Sequence, residues 1–184
     1  SRLEYGIHRV DPNAQSEWGS SVIVAPKVYK PGGTGIVTFG SAVGRIKRRD
    51  SDHMGRWSWQ LMGGKDTTNI LVVSVYQVAQ KHHSKPTGTT AYHQQKTMLS
   101  NANCSSVDPR TNFRRDIKRS INNLHKKHSV TKIIIIGDWN EECANHLTSQ
   151  DLCDMFRLVD LWRYKYPDHS SFTTHLWSKK IIDF

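Results

Sequence analysis

The sequence predicts an α/β (α+β) protein in which two mixed β-sheets form a four-layer sandwich with helices on the outside. Three observations support this prediction. Hairpin-like strand segments occupy the first third of the chain, two strongly apolar strand segments follow, and helical segments separate those two. Hairpins followed by a strand–helix–strand unit are typical of mixed sheets covered by helices. Because the chain has 184 residues, we expect residues 1–184 to form a single domain.

Several segments have the composition of β-strands. They are rich in Val, Ile and Trp and are bounded by turns such as "YKPGG" and "GGKD". The last two segments of the five are nearly unbroken apolar runs, which predicts strands covered on both faces. The predicted strands are 21–25, 34–39, 56–62, 69–76 and 132–138, followed by two short strands within 170–184.

The clearest predicted helix covers residues 108–128. Asp108 can cap its N-terminus, and Pro109 suits the first helical position. Apolar residues then recur at helical spacing on one face, with Arg and Lys on the other; they are Phe113, Ile117, Ile121 and Leu124. Two further helices are predicted at 90–100 and 149–160.

The chain is strongly basic. It contains 26 Lys and Arg against 16 Asp and Glu, a net charge of +10. Such a charge attracts polyanions, namely nucleic acid, phosphoinositides or an acidic protein surface, although a merely soluble basic protein has the same composition. The stretches 45–50 and 114–127 are candidates for phosphate contacts, although the individual residues of the second are interpreted as a solvated helix face.

Cysteine usage and the N-terminus predict an intracellular protein, with the nucleus as a candidate compartment. The three cysteines form no CxxC pair, and the first ten residues contain no signal-peptide core, so secretion is not expected. No apolar run approaches the roughly 20 residues of a membrane-spanning helix. Because the chain does not begin with Met, we expect it to be a fragment of a longer protein.

The strongest strand ends in "GDWN", residues 137–140. Asp138 and Asn140 are two residues apart, so their side chains can point the same way. An aspartate there can bind a metal ion or accept a proton from water, and an asparagine can donate to a phosphate oxygen. An ordinary Asx turn after a strand is the alternative.

Tyr76 ends the other buried strand, where it is either a site residue or a packing residue with a satisfied hydroxyl group. Asp183 lies between Ile182 and Phe184, so its carboxylate needs a partner if it is buried.

These motifs resemble the endonuclease/exonuclease/phosphatase superfamily, the DNase I-like phosphodiesterases. The resemblance is carried by GDWN, by "RLVDLWRYKYPDHSSFT" (157–173) and by "KIIDF" (180–184). Upstream, "YKPGGTGIVTFG", "GRWSWQ" and "VVSVYQV" are similar to the middle strands of the family. "GTTAYHQQ" and "DPRTNFRRDI" are similar to the variant found in retroelement-like reading frames. The resemblance covers most of residues 29–184.

The resemblance implies in-line attack of water on a phosphodiester, with Mg²⁺, or Mn²⁺ as an alternative, neutralising charge. It implies that Asp138 and Asn140 align water, phosphate and metal. It also implies that Tyr76 contacts the phosphate, and that Asp183 orients a catalytic histidine. Candidate substrate-binding residues are Thr173, Arg45 and Arg48.

Two elements of the family pattern are not matched. The expected metal-binding Glu was not found, because Glu4 and Glu17 do not follow a buried strand and are interpreted as surface residues. The final S-D-H motif would lie beyond Phe184. We therefore expect a catalytically incomplete piece of the fold. Glu141 and Glu142 are interpreted as the start of a solvated loop, with contact to a metal's second shell as the alternative.

The leading hypothesis is a Mg²⁺-dependent phosphodiesterase acting on DNA, namely the nicking endonuclease of a retroelement-like protein. A larger polyprotein with a reverse transcriptase would be its context. One alternative is a phosphoinositide or other phosphate-ester phosphatase of the same fold. Another is a catalytically incomplete remnant that binds nucleic acid.

Overall fold

The computed structural model describes residues 2–20, 32–79, 90–104, 106–141 and 147–167. The predicted strand 21–25, most of the turn after it and the predicted strands within 170–184 lie outside the described residues. None of the described helices combines the length and apolar character needed to cross a bilayer.

In chain order the elements are α1 (Arg2–Val10), β1 (Gln15–Ser20), β2 (Gly33–Thr38), a 3₁₀ helix (Gly40–Arg45), β3 (Ile46–Ser51), β4 (Trp57–Gly63), β5 (Asn69–Tyr76), α2 (Ala91–Asn101), α3 (Pro109–His128), β6 (Lys132–Asp138), α4 (Leu147–Phe156) and α5 (Leu161–Lys165).

A four-stranded mixed sheet forms the centre of the structure. Its strand order is β3-β4-β5-β6, in which β6 lies parallel to β5 and the other neighbours are antiparallel. A parallel pair requires a long crossover connection, and α2 and α3 lie in the connection from β5 to β6. The predicted strands 69–76 and 132–138 have the bounds of β5 and β6, so both predictions are confirmed.

Helix α3 supplies the core on one face of this sheet. Its N-terminus is capped as predicted, because the carboxylate of Asp108 accepts the N–H of Thr111 at 2.8 Å. Alternate residues of β5 and one side of α3 are buried in a common cluster: Leu71, Val73, Val75, Phe113, Ile117 and Ile121. The apolar face predicted from the helical spacing in α3 therefore packs against the apolar face of β5.

The antiparallel pair β1–β2 packs against the other face of the large sheet. The contact is partly polar: the hydroxyl groups of Thr34 and Ser58 lie 2.7 Å apart, and Thr38 Oγ1 donates to Gln60 Oε1 at 2.6 Å. These four side chains are buried, so each hydroxyl group finds a partner across the sheets. The predicted α/β class built on two sheets is confirmed, and the described residues form three of the four predicted layers.

Strand β6 is not covered on both faces, and that prediction is wrong for the described part of the chain. Ile134 is 41% exposed and Ile136 is 60% exposed. The small sheet packs against β3, β4 and β5 rather than β6, which leaves alternate isoleucines of β6 open.

The segment interpreted from its charge as a phosphate-contacting stretch, 45–50, largely forms β3. This strand lies at the edge of the large sheet and has four exposed polar residues, as is common for edge strands.

Candidate active site

Tyr76 and Asp138 are paired at the ends of the two parallel strands. The register aligns Tyr76 of β5 with Asp138 of β6, and the N–H of Gln77 donates to the carbonyl of Asp138 at 2.8 Å. Paired residues in a parallel ladder present their side chains to the same face. The phenol and the carboxylate therefore lie on the same face of the large sheet, at the carboxyl ends of β5 and β6.

Gly137 is required by the close approach of β6 to β5. Its φ of +154° is disfavoured for residues with side chains, and a Cβ at this position would overlap the carbonyl oxygen of Val75. Gly137 pairs with Val75, so it brings Asp138 to the carboxyl end of β6 in register with Tyr76.

An Asx turn follows Gly137. Asp138 Oδ1 accepts the N–H of Asn140 at 3.0 Å, and Asn140 adopts a left-handed conformation with φ of +46°. Asn140 Nδ2 donates to the carbonyl of Gln77 at 2.8 Å. The Asx turn proposed as the alternative interpretation does form, and it fixes the orientation of both candidate side chains next to Tyr76.

Tyr76 is a neutral hydrogen-bond donor in this setting. Burial raises the pKa of its phenol above the usual 10.0, and the adjacent Asp138 carboxylate raises the pKa further. The ring packs closely against Gly32, directly before β2. A Cβ on this glycine would lie only 2.8 Å from Tyr76 Cε1. The small sheet therefore contacts the site through this ring.

The oxygen atoms of Asp138 and Asn140 suit a hard cation. Mg²⁺ is commonly bound through one or two carboxylates together with water and substrate phosphate, and Mn²⁺ accepts the same donors. Within the described ranges, no group of three or more His, Cys, Asp and Glu side chains is placed to hold a metal ion. The two donors thus have suitable chemistry but form only part of a site.

Arg45 and Arg48 are not assembled with this group. Arg48 pairs with Leu61, which in turn pairs with Leu71, five residues before Tyr76. At about 3.3 Å per residue, Arg48 lies roughly 16 Å from Tyr76 along the strand direction. Arg45 precedes β3 at the same exposed end of the sheet. Thr173 and Asp183 lie outside the described residues, and the roles of all four stay predictions.

Three polar residues around the site, two of them buried, were missed or misinterpreted. Glu141 is only 3% exposed, so its interpretation as part of a solvated loop is wrong. Its carboxylate can be buried because it has several donors. Among them are the fully buried Gln77 and Arg110 of α3. Only their position in the sequence could have indicated two of these residues. Gln77 directly follows Tyr76, and Glu141 directly follows the GDWN motif.

Comparison with known proteins finds a likeness in structure and none in sequence. No protein-family model matches the chain, and no curated protein matches it. Two solved structures of beta toxin from Staphylococcus aureus are similar: the 275–280 form, with 13% identity and a TM-score of 0.48, and a β-hairpin deletion mutant, with 13% identity and a TM-score of 0.46. Each alignment covers 99% of this chain, which spans 65% and 66% of the respective toxin chains.

Proposed function

We propose that the chain is the catalytic region of a metal-dependent phosphodiesterase that cleaves DNA as an endonuclease. One observation carries this proposal: Tyr76, Asp138 and Asn140 meet at one end of the β5–β6 pair. A carboxylate can orient and deprotonate water, while a neutral phenol and an amide can donate to phosphate oxygens. These are among the groups that in-line hydrolysis of a phosphodiester needs.

Each side chain has a defined task in this proposal. Asp138 accepts the proton of the attacking water, Asn140 orients water and phosphate, and Tyr76 donates to the phosphate or the leaving oxygen. Bound Mg²⁺ or Mn²⁺ would supply charge neutralisation, with Asp138 and Asn140 as its candidate ligands. Asp183 would orient a histidine, and Thr173 would contact the substrate.

The basic charge supports DNA as the substrate. The net charge of +10 attracts a polyanion at long range. Arg45 and Arg48 are exposed at the far end of the large sheet, where they would contact DNA phosphates away from the reaction centre. Loss of affinity with rising salt would be the signature of such contacts.

The proposal extends to the larger protein to which the chain belongs and to the compartment in which it acts. We place the chain within a larger retroelement-like protein that also carries a reverse transcriptase, acting inside the cell and in the nucleus. The DNA phosphodiester is then the natural target, because such a protein must open a strand before copying into it.

Nicking of supercoiled plasmid in Mg²⁺ tests the proposal, and it is measured on the full-length protein because Asp138 and Asn140 form only part of a metal site. The informative variant is Asp138→Asn, because an asparagine can keep the Asx turn with Asn140 while it removes the charge. We expect nicking to fall at least about 100-fold in this variant and to disappear in EDTA. Asp154→Asn, an exposed carboxylate of α4, is the matched control and should nick like the unaltered chain.

Three results would refute the proposed activity. Nicking that survives in Asp138→Asn or in EDTA would exclude the proposed chemistry. Release of phosphate from inositol lipids without cleavage of DNA would favour the phosphatase alternative. Salt-sensitive DNA binding by a chain that never nicks would identify a binding remnant.

A further inference from the structure

Gln77 forms hydrogen bonds to four consecutive residues, namely the last residue of β6 and the three residues that follow it. Its N–H donates to the carbonyl of Asp138 at 2.8 Å, and its Nε2 donates to the carbonyl of Trp139 at 2.7 Å. Its own carbonyl accepts Asn140 Nδ2 at 2.8 Å, and Nε2 also donates to Glu141 Oε1 at 2.9 Å. One buried residue directly after β5 therefore holds the whole Asx turn, through both its backbone and its side chain.

Glu141 joins this turn to α4. Its Oε2 lies 3.2 Å from the N–H of Thr148 and 3.4 Å from the N–H of Ser149, both in the first turn of the helix. A carboxylate accepting helix N-terminal amides also benefits from the helix dipole. The hydroxyl group of Thr148 donates to Gln77 Oε1 at 3.0 Å, which closes a buried network.

Arg110 joins the same turn to α3. Its Nη1 donates to the carbonyls of Val78 and Asn140, at 2.7 Å and 3.0 Å, and its Nη2 lies 3.6 Å from Glu141 Oε1. Val78 follows the end of β5 and Asn140 follows the end of β6. One guanidinium thus connects the chain segments that leave the two site strands, because Nη1 donates to both carbonyls while Nη2 faces Glu141.

We propose that Gln77, Arg110 and Glu141, here called the turn clamp, are positioning residues that hold Asp138 and Asn140 at the reactive distance from Tyr76. The catalytic part of this inference rests on the proposed function, whereas the structural part does not. Every member is bonded to the backbone or side chains of residues 138–141 or to another member. Removing one member should loosen the Asx turn while the core of the sheet stays intact.

Hydrogen–deuterium exchange tests the clamp without reference to activity. Glu141→Ala removes the carboxylate and Glu141→Gln keeps one acceptor oxygen. Arg110→Lys keeps the charge but has one nitrogen in place of Nη1 and Nη2, so it cannot contact the two carbonyls and Glu141 together as arginine does. In Glu141→Ala we expect the amides of Asn140, Thr148 and Ser149 to exchange at least tenfold faster, with the amides of β5 unchanged. Asp151→Ala is the control, because it removes an ion pair between α3 and α4 with Lys118 and leaves the turn untouched.

The plasmid assay then tests the consequence for catalysis. We expect kcat to fall about 10- to 100-fold in Glu141→Ala and Arg110→Lys, with KM changed less than twofold and partial recovery in Glu141→Gln. Unchanged exchange at Asn140 in both Glu141→Ala and Arg110→Lys would overturn the clamp. Faster exchange with unchanged kcat would overturn its catalytic role. If the unaltered chain does not nick, the proposed function fails while the exchange data still decide whether the clamp exists.

Discussion

The ring of Trp139 packs edge-to-face against Phe113 of α3, with ring centroids 6.3 Å apart and planes at 80°. Trp139 is 3% exposed and belongs to the main hydrophobic cluster. It lies between Asp138 and Asn140, so the two polar site residues flank an anchor in the core. The Asx turn is therefore held both by the apolar packing of Trp139 and by the polar contacts of the turn clamp.

Trp139→Ala should destabilise the fold by about 3–5 kcal/mol, because it leaves a large cavity against Phe113. Trp139→Phe keeps an aromatic ring in the cluster and should cost clearly less. Urea denaturation followed by far-UV circular dichroism measures both free energies of unfolding. Equal losses in the two variants would show that the ring contact is not the anchor.

Gly137→Ala should cost roughly 3 kcal/mol or more, since the position combines a positive φ with overlap against Val75. Gly44→Ala is the matched control, because a Cβ there meets nothing within 4 Å. The control should stay within about 0.5 kcal/mol of the unaltered chain. The urea midpoints of the two variants make the comparison, and similar midpoints would refute the close approach of β6 to β5.

The sequence was sufficient where one segment determines its own structure. Strands β5 and β6 are apolar runs with clear bounds, and α3 shows both a cap and a regular apolar face. Strand β3 was not predicted, because an edge strand with exposed charges becomes evident only beside its partner β4. Strand β1, "QSEWGS", has the same difficulty and depends on β2.

In the candidate site, too, residues that depend on their own segment could be predicted, and residues that depend on distant partners could not. Asp138, Asn140 and Tyr76 could be predicted, because each stands at or just after the end of a strong strand. The burial of Glu141 could not, since two consecutive glutamates after a turn are typical of solvated loops. Its environment depends on donors from Gln77, Arg110 and α4, which are distant in sequence.

Asp52→Ala should cost about 3 kcal/mol, because it removes the main partner of a buried cation. Arg56 is 2% exposed and donates to Asp52 through Nε at 2.8 Å and Nη2 at 2.9 Å. Asp116 contacts the same guanidinium at 3.1 Å and offsets part of the loss. The exposed Asp50→Ala is the control, and urea denaturation of both variants measures the difference. A loss no larger than that of the control would show that the Arg56 pair adds nothing to stability.

The N-cap of α3 predicts a specific pH dependence of stability. Burial alone would raise the pKa of Asp108, but hydrogen bonds from Thr111 and Tyr92, together with Arg110, lower the pKa below its usual 3.8. A carboxylate whose pKa is depressed in the folded state stabilises the fold above its unfolded pKa. This contribution is lost as the pH falls through the lower, folded value.

Asp108→Ala should therefore cost about 1 kcal/mol at pH 7, and the difference from the unaltered chain should shrink below about pH 3.8. Asp108→Asn caps the helix without a titrating group, so its free energy of unfolding should fall less steeply on acidification. Urea denaturation at pH 7, 5 and 3 compares the three chains. A constant difference between Asp108→Asn and the unaltered chain across this range would exclude an ionised cap, because only a titrating carboxylate makes that difference depend on pH.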